Sequence, residues 1–84
     1  MTDNILQEAQ KLVDGDRQDS YGTPSECMQR TANIFYEVTG IKMTTAQVCL
    51  FNACQKFARF RGSDKPDNST DVCGYLYIKE NKLK

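Results

Sequence analysis

Apolar residues recur along this chain at the three- and four-residue spacing of helices, and nowhere alternate for long enough to form a sheet. The first run is Ile5, Leu6, Ala9, Leu12 and Val13, with Thr2 or Asp3 as N-cap and Gly15 just past its end. The second opens on Thr23-Pro24-Ser25-Glu26. A threonine cap, a proline in the first turn and a glutamate three residues after the cap make a capping box. Its core stripe is Met28, Ala32 (or Thr31), Phe35 and Val38, and Gly40 stops it. Thr44 and Gln47 form another capping box, opening a third helix that runs to about Phe60 or Arg61, with Gly62 ending it. A fourth helix begins near Asp67 or Asn68, with Asp71 in its first turn, and carries Val72, Tyr75, Leu76 and Ile78. The tail from Lys79 to Lys84 reads as a solvated, fraying helix end. The pattern predicts a single all-α domain over residues 1–84, a compact bundle of about four helices.

The third helix breaks the amphipathic rule. Val48, Phe51, Cys54 and Ala58 mark one face, but Cys49, Ala53, Phe57 and Phe60 cover much of the rest. A helix apolar nearly all round is covered on several sides. It is expected either at the centre of the bundle or at a seam between subunits. Lys56 and Arg59 stand out in that setting. They reach water along their stems, pair with Asp64, Asp67 or Asp71 across a short turn, or meet a bound anion.

Composition narrows the chemistry. Eighty-four residues give a thin core, and chains this short lean on a disulfide, a metal or self-association. There is no histidine, and Cys27, Cys49, Cys54 and Cys73 lack the spacing of a zinc site, so no metal and no cofactor is expected. Three of the four cysteines lie in apolar helical runs, where a thiol acts as a small hydrophobe, so reduced core cysteines are expected rather than disulfides. That leaves a homo-oligomer. Eleven basic and eleven acidic residues balance overall, but residues 1–42 hold seven acids and four bases, and the remainder four acids and seven bases. That excess is too small for duplex nucleic acid, yet enough to hold a small anionic ligand. No signal peptide or membrane-length apolar run occurs, so a cytoplasmic protein is expected. Without histidine no Cys-His or Ser-His pair exists, and no catalytic residue is assigned.

The segment Gly15-Asp16-Arg17-Gln18-Asp19-Ser20-Tyr21-Gly22-Thr23-Pro24 offers a guanidinium, a phenol, carboxylates and glycine amides between two helices, where a small domain places a binding site. With Lys56-Phe57-Ala58-Arg59 and the run from Asp67 to Tyr75, it resembles a family of small phage-encoded proteins. The shared blocks are R-x-x-x-Y-G-x-P, K-x-A-R and D-x-x-x-D-x-x-G-Y, in that order over roughly residues 5 to 80. This chain departs from the pattern at Met28 and Gln29, and at Ser69-Thr70 where a Ser-Trp pair is common. The resemblance implies a bacteriophage origin, hence the host cell cytoplasm, and an all-α fold, and brings no established activity. The K-x-A-R…D-x-x-x-D layout is also faintly similar to MazG-like all-α nucleoside triphosphate pyrophosphohydrolases. Those enzymes hold magnesium on dense carboxylates from two helices. Here Glu26 and Glu37 on one helix and Asp67 and Asp71 on another are too few at the wrong spacing.

The expectation that follows is a non-catalytic binding protein that sequesters a nucleotide-like or phosphate-bearing ligand, with counter-defence as one use. Arg17, Lys56 and Arg59 would meet phosphates, Tyr21 or Tyr75 would stack on a base, and Gly22 would contribute its amide. Asp67 and Asp71 complete the candidate ligand-binding set. The alternatives are an adaptor or inhibitor that binds a host protein through aromatic anchors, and a degenerate MazG-like hydrolase.

Overall fold

The computed structural model describes residues 4–15, 22–61 and 66–83. It contains α1 (Ile5–Asp14), α2 (Pro24–Thr39), α3 (Thr45–Ala58) with a 3-10 turn at Arg59–Arg61, and α4 (Pro66–Asn81). Among the described residues there is no strand, and the all-α expectation holds.

Helix starts are fixed locally. The Thr23 hydroxyl accepts from the Glu26 N–H at 3.2 Å, and Glu26 Oε1 accepts from the Thr23 N–H at 3.3 Å. Thr44 and Gln47 repeat the exchange at 3.1 and 2.9 Å. Both boxes are where the sequence puts them. The first helix is capped differently: Asn4, not Thr2 or Asp3, accepts from the Gln7 N–H at 2.9 Å while Gln7 returns the bond at 3.0 Å. Asparagine caps as well as aspartate, and glutamine at the third position closes the box. Gly40 ends α2 in the left-handed conformation (φ +75°), which lets its N–H reach the Tyr36 carbonyl at 2.7 Å.

The main packing contacts are α1 with α4, α4 with α3, and α3 with α2. One contiguous core of Val13, Met28, Ala32, Val48, Cys49 and Ile78 runs through all four helices. The contacts run in the order α1–α4–α3–α2 within one compact bundle, as expected. Within that order α4 is covered on two flanks, burying Asn68, Thr70, Val72 and Ile78, and also Gly74, where an added Cβ would lie 3.6 Å from Val13. Small residues let α1 approach closely.

The core face of α3 is rotated from the expected one. Val48, Cys49 and Ala53 are buried, whereas Phe51, Cys54 and Ala58 face solvent with Leu50 and Phe57. Cys54 is therefore not a core thiol. All four cysteines are free, and burial pushes the Cys49 thiol up, keeping it protonated. On α2, Met28 and Ala32 are buried and Phe35 is half-buried, but Val38 is exposed. Leu76 of α4 is exposed as well.

The C-terminal tail is not a fraying end. Lys82 Nζ lies 2.9 Å from Asp14 Oδ1, the Tyr77 hydroxyl donates to Asp14 Oδ2 at 2.9 Å, and the Lys82 ammonium sits 5.6 Å from the centre of the Tyr77 ring. Leu83 packs against the core. The last residue of α1 is thus fastened to the end of α4. Lys82, then the Tyr77 hydroxyl, hold the Asp14 carboxyl below the ordinary carboxylate range. A depressed acid stabilises the fold above its unfolded pKa of ~3.9, and that contribution disappears as pH falls through the folded value. Asp14→Asn should therefore lower the melting temperature at neutral pH, with the gap to wild type closing as the pH drops below ~3.9. Circular dichroism melts across that range check the sign.

Candidate functional site

The candidate residues separate into three groups. Arg17 and Tyr21 lie outside the described residues. Gly22 stands at the entry to α2 with φ +80°, and its neighbours are the side chains of Glu26 and Arg30. Lys56, Asp71 and Tyr75 are gathered where α3, α4 and α1 meet, and Arg59 and Asp67 lie exposed at the facing ends of α3 and α4.

Lys56 is already paired. Its Nζ lies 3.0 Å from Asp71 Oδ2, and the two side chains keep only 18% and 14% of their surface. Of the partners open to Lys56, the structure pairs it with Asp71 rather than Asp67, and Asp64 lies outside the described residues. The geometry follows from the helix register: Lys56 falls on the inward side of α3, with Cys49, Asn52 and Ala53, and so faces α4. Asn52 on that side reaches the other way, with its amide 3.9 Å from the Met28 sulfur of α2. Asp71 and Tyr75, one turn apart on α4, share a narrow crevice with Ala9, Leu12 and Val13 of α1. Tyr75 is half-buried against the core, so its ring packs inside the fold.

Arg59 differs from Lys56. It is exposed in the 3-10 turn, where its backbone N–H bonds to the carbonyls of Lys56 and Phe57. Among the described residues no three His, Cys, Asp or Glu side chains converge to hold a metal ion. A shallow groove flanks α2 instead, lined by Gln29, Asn33, Tyr36, Glu37, Lys42 and Met43. There Gln29 donates to Asn33 at 3.0 Å and Lys42 lies 5.9 Å from the centre of the Tyr36 ring. These polar residues carry no spacing that would have singled them out in the sequence.

A half-buried ion pair and a ligand-binding lysine make different predictions. Removing either partner leaves the other charge poorly solvated, at a cost of about 1–3 kcal/mol. Lys56→Met and Asp71→Leu should each destabilise the protein by about that amount, and the double substitution by clearly less than their sum. Urea unfolding measures the coupling. Additive or negligible effects would return Lys56 to the pool of free ligand-binding cations.

The chain is 33% identical over 76 residues to the Gene 55 protein of Mycobacterium phage D29, covering 89% of this chain and 50% of that protein. It therefore spans about half the length of the curated relative it matches. No solved structure matches it. A family model described as "Domain of unknown function (DUF6378)" aligns with residues 4–82, all four helices, and the chain belongs to that family.

Proposed function

We propose that this phage protein works without catalysis, by binding a host protein through the exposed end of α2. The observation that carries the reading is the state of the last two turns of that helix. From Asn33 to Lys42 only Phe35 is even half-buried, yet the segment carries Ile34, Tyr36, Val38 and Ile41. Ile34 is 61% exposed and Val38 77%. Ile34 and Val38 follow the i, i+4 spacing of a helix that lays its apolar side into a partner's groove, and Ile41 adds an exposed apolar side chain just past Gly40, where the helix ends. Glu37 and Lys42 supply a charged rim of both signs. Counter-defence is one use a phage has for such a contact.

Paired Lys56 and inward Tyr75 weaken the competing view, a sequestered nucleotide-like ligand. That view rests on exposed Arg59 together with Arg17 and Tyr21. A MazG-like hydrolase has still less support, and NTPs with magnesium should yield no pyrophosphate.

Immobilised wild-type protein should retain a host protein from lysate, and Ile34→Asp or Val38→Asp should lose it while keeping the helical signal, since both positions are exposed. Arg59→Ala should retain it. The result that would replace this reading is a rise in melting temperature with a cyclic di- or trinucleotide, an ADP-ribose derivative or an NTP that Arg59→Ala abolishes.

A further inference from the structure

The outer side of α3 is a second, separate apolar surface. Leu50, Phe51, Cys54, Phe57 and Ala58 recur there at helical spacing, all exposed, with Phe51 at 52% and Phe57 at 55%. Phe60 extends the surface, its ring meeting Phe57 edge-on at 5.6 Å. Between Thr45 and Ala58 no charge lies on this side. The single charged residue between Thr45 and Ala58 is Lys56, and it is turned inward to Asp71. The helix thus has its charge inside and its phenyl rings outside, the reverse of a solvent-facing helix.

We infer that this face is a homodimer seam, in which α3 packs antiparallel on α3 of a second copy about a two-fold axis at Cys54. Three observations select a second copy. The first is neutrality: a two-fold seam sets like against like, and a stripe with no charge meets itself without repulsion. The second is the order of side-chain sizes about Cys54. An antiparallel axis there sets Leu50 against Ala58 of the second copy and Phe51 against Phe57, large on small and ring on ring, while the small thiol at the crossing lets the backbones approach.

The third is area. An aromatic side chain carries about 150–250 Å² and these are about half exposed, so the stripe with Phe60 presents roughly 450 Å² of apolar surface. Interfaces are about 57% non-polar, so a specific interface of about 800 Å² per partner needs roughly 450 Å² of apolar surface, which this stripe supplies. A monomer's largest apolar patch is typically about 300–600 Å² and is itself often functional.

Sedimentation equilibrium of the wild-type chain at micromolar concentration should give twice its 9.6 kDa mass. Phe57→Asp, which sets carboxylates near the axis in both copies, should give the monomer mass with an unchanged helical signal. A short bismaleimide should link two wild-type chains, each maleimide adding one thiol without a leaving group. Cys54→Ser should prevent the link yet still sediment as a dimer. Crosslinking of the wild-type chain needs no variant to fold, and Val38→Asp should leave the dimer intact, which separates this seam from the α2 surface. A wild-type monomer, a dimer that survives Phe57→Asp in folded form, or a dimer that does not link through Cys54 would each overturn the seam.

Discussion

The orientation of α3 depends on the ion pair between Lys56 and Asp71. This helix has apolar residues at nearly every angle, so hydrophobic burial alone selects no face. A lone charge breaks the tie. With Lys56 inward, the ammonium meets Asp71 at 3.0 Å and its stem packs between α3 and α4. Residues on the same side, Val48, Cys49 and Ala53, then become core. Phe51, roughly opposite, and Phe57, about a quarter-turn round, are carried outward by the same rotation. A half-buried pair contributes little net stability, because desolvation offsets attraction, but it excludes alternatives. Any other rotation of α3 buries rings at the cost of an ion pair.

This explains what could and could not be read from residues. Capping boxes at Thr23 and Thr44 were legible because they are local, each needing only two side chains three residues apart. So was the class of the fold. The core face of α3 was not legible, since Phe51, Cys54 and Ala58 form as regular an apolar row as the one actually buried. Pairing partners across a turn were visible as candidates, but only the three-dimensional register chose Asp71. Asp14, Tyr77 and Lys82 lie too far apart in sequence to announce a cluster, so the tail looked loose when it is held at both Lys82 and Leu83.

α4 shows the opposite failure. Its polar and apolar residues are mixed, and it looks the least convincing of the four helices. Yet it is gripped between α1 and α3, burying Asn68 and Thr70 along with Val72 and Ile78. A helix covered on two flanks needs no single apolar stripe. Among the described residues no buried side-chain nitrogen or oxygen lacks a hydrogen bond, so its polar members are accommodated.

The distribution of side-chain size ties fold to function. Buried hydrophobic positions are mostly alanine, valine and cysteine, while Phe51, Phe57, Phe60, Ile34, Val38 and Ile41 stay outside. Small core residues allow close helix packing but remove little surface from water, about half of what a buried phenylalanine removes. Had the sequence been shaped for the stability of an isolated chain, the rings would be the first residues to move inward. The exposed rings of α3 and its 3-10 turn, and the exposed aliphatic side chains of α2, are the surfaces that the two proposals would cover, the first with a copy of the chain and the second with a protein of the host. On those proposals a thin core would be no defect, because association would complete the burial that a single chain leaves undone.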